Sequence, residues 1–394
     1  MSMVRPKDLS ESDYRAEFRP DIQALRALAV ALVVLYHADI PGVHGGFFGV
    51  DVFFVVSGFV ITNVLLRERA SKGSTSIPGF YARRIRRILP AATVVLIATV
   101  FATYHWLSFI TGAINADDAK YVAMFVGNFH FASLGTQYFT ATQPPSTLQQ
   151  YWSLAVEEQF YLVWPVLFLL LTLPWKAFSP VIRLISALAV IFGTSLAWCI
   201  IETHQNVVWA FFSPLTRAWE LALGAILAVF GPHLRGRSPR GGVVLASCGL
   251  VVILLCTWFY TSSTLWPGDA AILPVVATGM IIAGGSLRGA ERAGRLIRFA
   301  PVQWLGNISY SLYLVHWPVI AIATQYAIAP LPLHTEIELA AFSVVIAAAL
   351  YYAIENPIRR FRWLANRRLV TFVFGAVLIG LSFAAIYWHL YHYS

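Results

Sequence analysis

Apolar residues run through this chain in long blocks instead of alternating with polar ones. A helix that crosses lipid needs about 20 mostly apolar residues, and eleven blocks meet that length: 21–40, 47–66, 88–110, 152–173, 181–201, 207–230, 241–260, 268–287, 302–328, 337–356 and 369–389. A twelfth stretch, 120–140, carries Lys120, Asn128, His130 and Gln137. Lipid would leave those groups unsatisfied, so this stretch is expected to be re-entrant or to lie at the surface.

Basic residues set the orientation. With eleven spans and a cytoplasmic N-terminus, 25 of the 28 Lys and Arg residues fall in cytoplasmic segments, as the positive-inside tendency requires. A twelfth full span would send four basic loops to the other side. The expected fold is therefore an all-α polytopic membrane protein of about eleven transmembrane helices, with an extracytoplasmic C-terminus. Its parts are a cytoplasmic segment 1–20, a ten-helix membrane domain 21–368, and a last helix with a short outer tail, 369–394. Residues 1–20 are polar and contain no leader-type cleavage site, so the first span reads as retained.

Composition agrees with this reading. The chain is 58% hydrophobic and 12% charged, with a mean hydropathy of +0.67, more apolar than a soluble core would need. The net charge of +9 fits loops at one membrane face better than a nucleic-acid patch. Cys199, Cys248 and Cys256 lie inside apolar runs, which predicts no disulfide framework and no metal site.

Ionisable groups inside spans cost at least about 2.5–3.5 kcal/mol each, which makes them functional candidates. Arg26 and His37 belong to the first span. Eleven helical steps return to the same face, displaced by roughly 16 Å, so the pair suits a long anionic ligand with its reactive end toward His37. Arginine grips phosphate and histidine can take a hydroxyl proton; equally, each residue could snorkel to its own headgroup layer. Asp51, early in the second span, could orient His37 or simply complement a helix dipole. Nearby Ser57 reads as a packing residue. Arg83, Arg84, Arg86 and Arg87 before Pro90 read either as a phosphate clamp or as a lipid-facing anchor.

Further along, Arg217 and Glu220 are spaced to pair on one helix face, or could line an acceptor route. Glu355 and Arg359 read as a helix-end ion pair. His316 precedes Pro318 and could line the cavity or bond a carbonyl that the proline frees.

The Arg26–His37 spacing, GVDVFFVVSGF and the arginine run ending in ILP, followed by WSLAVEEQFY (152–161), NISYSLYLVHWP (307–318) and ENPIRR (355–360), resemble the acyltransferase-3 family of integral membrane acyltransferases. The resemblance covers residues 20–390 and is strongest to the subgroup that includes O-antigen and peptidoglycan O-acetyltransferases. It implies acetyl-CoA or another acyl-CoA as donor, bound by Arg26 and by Arg84 and Arg87, with the register on Arg83 and Arg86 also open. It implies catalytic work at His37, with Asp51 or Glu157 in support, and Tyr161 in the cavity. The acceptor would be a glycan or small-molecule hydroxyl at the outer face of a bacterial inner membrane. Many relatives carry an exported hydrolase-like domain of the SGNH type, whereas no Gly-Asp-Ser block follows residue 389, so a separate exported partner is a further expectation. Two other classes fit the residues: a transporter or flippase, and a membrane anchor for a catalytic partner. The strings above occur once each, without the two-fold repeat common in transporters.

Overall fold

The computed structural model describes residues 18–135, 144–173, 179–289, 294–327 and 330–392. Most of the expected N-terminal segment 1–20, Lys176, Arg292 and the end of the 120–140 stretch lie outside them. The long regular elements among the described residues are helices: α1 (Pro20–His37), α2 (Gly49–Lys72), α3 (Ile77–Trp106), α4 (Phe109–Ala123), α5 (Gly127–Ser133), α6 (Tyr151–Thr172), α7 (Pro180–Gln205) and α8 (Val207–Phe212). There follow α9 (Pro214–Leu234), α10 (Pro239–Phe259), α11 (Ile272–Arg288), α12 (Ala300–Ala327), α13 (Leu333–Leu350), α14 (Asn356–Arg360), α15 (Arg362–Ala365) and α16 (Arg368–His392).

Each of the eleven expected spans falls on a helix. Nine helical stretches among the described residues are long and apolar enough to cross a membrane. The block 268–287 forms the shorter, 17-residue α11. The block 302–328 forms the 28-residue α12, whose Gln303, Asn307, Ser309, Ser311, His316 and Gln325 dilute its apolar character. The region 109–133 folds as α4 and α5, 15 and seven residues long, and neither is among the nine. Lys120, the basic residue that the eleven-span reading places on the outer side, is ion-paired to Asp117.

Local chemistry sets the helix ends. Pro20 and Asp21 open α1, where a missing N–H costs nothing and an acid complements the dipole. Ser76, Ser179 and Ser213 cap α3, α7 and α9 by accepting backbone N–H groups. Gly73, with φ of 71°, closes α2 in the left-handed region.

At the centre, α2 packs on α1 and α9, and 72% of its apolar window is buried, against 22% for α16. The α2–α9 crossing is backbone to backbone: a Cβ on Gly58 would collide with the Leu221 carbonyl, and one on Gly224 with that of Val55. Small residues are what permit such an approach when lipid supplies no hydrophobic drive between helices. Around this core α12 packs on α1 and α13, α7 on α9, α10 on α11, and α16 on α3. Their outer faces expose Val244, Leu254, Trp258, Val345 and Leu369, as lipid contact requires.

Candidate functional site

Basic residues gather where α2 ends and α3 begins, and there a cavity of about 220 Å³ enters the bundle. It is lined by Arg26 of α1, Arg84 and Arg87 of α3, Ser57 of α2, and Glu157 and Tyr161 of α6. The cavity separates two registers that the arginine run alone leaves open. Arg84 and Arg87, three residues apart on a helix, share a face and reach the cavity; Arg83 instead pairs with Glu68 at 2.7 Å, and Arg86 is buried away from the lining.

Glu157 is held at both oxygens. Ser57 Oγ donates to Oε1 at 2.7 Å and Tyr161 O–H to Oε2 at 3.2 Å. Ser57, expected as a packing residue, is therefore part of the site. The Arg84 guanidinium lies 4.7 Å from the Tyr161 ring centre and 5.5 Å from that of Phe80, which holds it flat. Three guanidinium groups against one carboxylate leave the lining net cationic, and Phe53, Phe54, Tyr310 and Tyr313 give it aromatic walls. Such a chamber fits a phosphate-bearing ligand with a long, weakly polar arm. A second hollow of about 210 Å³, lined by Arg19, Arg67 and Arg235, shares Ile22, Gln23 and Val60 with it.

His37 closes the other end of α1 and opens onto a hollow of about 340 Å³. Its Nδ1 lies 3.1 Å from His316 Nε2, and His316 Nδ1 lies 3.1 Å from the Leu312 carbonyl. A carbonyl only accepts, so the neutral His316 ring carries its proton on Nδ1 and accepts at Nε2. The bonding proton then sits on His37 Nδ1, leaving the lone pair of the neutral ring on Nε2. Trp317 lies against the same imidazole, ring centres 4.7 Å apart. Between cavity and imidazole stands Tyr313, whose hydroxyl meets Ser153 Oγ at 2.6 Å and whose ring centre is 5.5 Å from that of His316.

Pro318 lacks the N–H that would bond Leu314. The freed Leu314 carbonyl accepts from Gln150 Nε2 at 3.0 Å. His316 does not take that carbonyl, as one sequence reading expected; it bonds Leu312 and His37. The same geometry pins residues 144–150 to α12.

Asp51 stands elsewhere than expected. Its carboxylate is 2.7 Å from Arg217 Nη1, which also lies 3.1 Å from Glu220. All three side chains are buried, and none lines the two hollows that hold Arg26 and His37. The predicted Arg217–Glu220 pairing is present, but as part of the α2–α9 contact. Arg217 bonds one oxygen of each acid and is itself covered by Trp152 and Phe211, ring centres 5.5 and 5.4 Å away. Glu157, expected near His37, instead lines the arginine cavity. The Glu355–Arg359 pair is likewise replaced: Ser311 donates to Glu355 at 2.7 Å and Arg359 to Asn356 at 3.1 Å, because a π-turn at Tyr351–Glu355 rotates Glu355 inward. Among the described residues no group of three or more His, Cys, Asp or Glu side chains is placed to hold a metal ion.

Comparison with known proteins gives this geometry a context. A family model described as an acyltransferase domain matches residues 19–354. The peptidoglycan O-acetyltransferase OatA of Listeria monocytogenes is 32% identical over 361 residues, covering 88% of this chain and 57% of the relative. The putative peptidoglycan O-acetyltransferase YrhL of Bacillus subtilis is 30% identical, covering 86% and 55%. A putative O-acetyltransferase of Staphylococcus aureus is 28% identical, covering 88% and 58%. The chain thus spans a little over half the length of these curated relatives. No solved structure matches it. With the family model covering residues 19–354 and a relative 32% identical over 88% of the chain, this multi-pass membrane protein belongs to the acyltransferase-3 family.

Proposed function

We propose that the protein transfers an acyl group, in the first instance acetyl, from cytoplasmic acyl-CoA to a hydroxyl of a cell-wall glycan on the far side of a bacterial inner membrane. The observation that carries this reading is the shared face of α1. Arg26 looks into a cationic cavity at the basic end of the bundle, and His37 lies roughly 16 Å further along the same helix, in a separate hollow. Donor phosphates would meet Arg26, Arg84 and Arg87, with the nucleotide end toward Arg19, Arg67 and Arg235, and the thioester arm would run past Tyr313 toward His37.

In direct transfer, His37 Nε2 takes the proton of the acceptor hydroxyl as its oxygen bonds to the thioester carbonyl. The carbon–sulfur bond then breaks, and the thiolate recovers a proton from the imidazolium. The products are an ester and free CoA thiol. His316 keeps the proton of His37 on Nδ1 throughout, in the manner of the third member of a catalytic triad.

The acyltransferase description of the family supports this chemistry over solute transport, and the names of the relatives favour acetyl and a peptidoglycan-type acceptor over an O-antigen. The test is label transfer and thiol release from radiolabelled acetyl-CoA in inside-out vesicles, with an acceptor extract supplied. Both signals are expected from the intact protein and lost in His37→Ala. Equal signals from the two proteins would overturn the assignment of His37.

A further inference from the structure

Where α6 ends and α7 begins, the bundle carries a groove that shares no residue with the hollows at Arg26 and His37. About 550 Å³ in volume, it is lined by Leu167 and Leu171 of α6 and by Ile182, Arg183, Ala187 and Ile191 of α7. Leu184 and Leu188 form the buried face of α7, which packs on α9. The groove follows the neighbouring stripe Arg183, Ala187 and Ile191, four residues apart on one helix face. Alanine in the middle of that stripe leaves room that a larger side chain would fill. From Arg183 to Ile191 the stripe rises roughly 12 Å, close to one leaflet's share of a hydrocarbon core about 30 Å thick.

Two guanidinium groups meet at the basic end of this groove. Arg69, in the last turn of α2, donates through Nη2 to the Thr172 carbonyl, and Arg183 donates through Nη2 to the Leu173 carbonyl at 2.7 Å. These carbonyls belong to consecutive residues, so the two cations are neighbours. They satisfy acceptors that α6 leaves unpaired at its C-terminus, and each bond uses one of the five N–H donors of its guanidinium. Among the described residues neither arginine has a carboxylate within salt-bridge distance, whereas Arg83 at the same end has Glu68 and the buried Arg217 has Asp51 and Glu220. A helix C-terminus supplies only about half a negative charge against two full positive ones. The groove therefore joins an apolar trough to a cationic head.

We infer that this groove holds one anionic phospholipid of the adjoining leaflet, its phosphate on Arg183 and Arg69 and one acyl chain along Leu171, Leu167, Ala187 and Ile191. Guanidinium forks match phosphate oxygens, and the chain covers an apolar lining that no helix among the described residues covers. A zwitterionic headgroup brings its own cation to the pair and offsets their charge less. Ile182 is 43% exposed, so the trough opens outward and a lipid enters it from the bilayer. The site needs no acyl-transfer chemistry, but α6 also carries Glu157 and Tyr161 into the donor cavity, and the lipid braces the far end of that helix.

The experiment is native mass spectrometry of the delipidated full chain, titrated with phosphatidylglycerol and with phosphatidylcholine of the same acyl chains. One phosphatidylglycerol is expected to bind about tenfold or more tightly than phosphatidylcholine, a comparison that needs no variant. Arg183→Gln should cut that preference about fivefold. Ala187→Trp keeps every charge and fills the trough, so it should abolish the tight binding. Glycerophosphoglycerol, the same headgroup without acyl chains, should fail to displace the bound lipid. Equal affinity for the two lipids, unchanged binding in Ala187→Trp, or displacement by the bare headgroup would overturn the site. A lipid-free dimer that Ala187→Trp dissociates would overturn it too, by making the groove a contact between copies of the chain.

Discussion

His37 and His316 come from helices 279 positions apart in sequence and meet ring to ring, Nδ1 to Nε2 at 3.1 Å, with the second ring anchored on the Leu312 carbonyl. The relay leaves one acceptor nitrogen on His37, at the edge away from His316. A base poised at neutral pH needs such a fixed tautomer, and no charged partner is required to supply it.

His316→Leu removes that acceptor. If positioned acid–base catalysis contributes about 10²–10⁴ in rate, the variant should lose at least tenfold in kcat with little change in the KM for acyl-CoA. His316→Gln, whose amide oxygen can still accept, should recover part of the loss. Equal kcat in His316→Leu and the intact protein, measured by thiol release, would remove His316 from the mechanism.

The arginine run gives a sharper contrast. Each guanidinium–phosphate bond contributes about 1.5–3 kcal/mol, so Arg84→Ala and Arg87→Ala should each weaken CoA binding by about 10- to 100-fold. Arg83→Ala loses an ion pair whose arginine is 43% exposed, worth at most about 1 kcal/mol, and should bind CoA normally. Isothermal titration with CoA on detergent-solubilised protein reads the difference; comparable losses in all three variants would mean that the cavity is not the donor site.

Arg217 belongs to stability. Arg217→Leu would leave Asp51 and Glu220 buried without their cation, at a cost of about 3–5 kcal/mol. The triple change Arg217→Leu, Asp51→Asn, Glu220→Gln removes the charges together and should recover most of that loss. Thermal unfolding followed by size-exclusion chromatography would show it; a single variant as stable as the parent would imply that the cluster is not a closed ionic unit.

Gly58 tests the central crossing. A methyl group there meets the Leu221 backbone carbonyl, which cannot rotate away, so Gly58→Ala must spread α2 from α9. Overpacking of this kind costs about 1–3 kcal/mol or more, and the expected outcome is reduced monodisperse yield. Gly193→Ala, where a Cβ meets nothing within 4 Å, is the control and should behave as the parent.

The sequence by itself determined the membrane class, the helical blocks and the pairing of Arg26 with His37 along one helix, because each follows from apolar length or from the 3.6-residue repeat. It also contained the arginine run and the WSLAVEEQFY and NISYSLYLVHWP strings, and through them the family. Partners between helices were another matter. Asp51 is close to His37 in sequence and reads as its support, yet the tight Gly58–Gly224 crossing carries α2 against α9 and delivers Asp51 to Arg217. Ser57 looks like a spacer until α6 brings Glu157 to within 2.7 Å. Helix periodicity states which residues share a face. Which faces meet depends on where small residues let backbones approach, and that was decided by the tertiary structure.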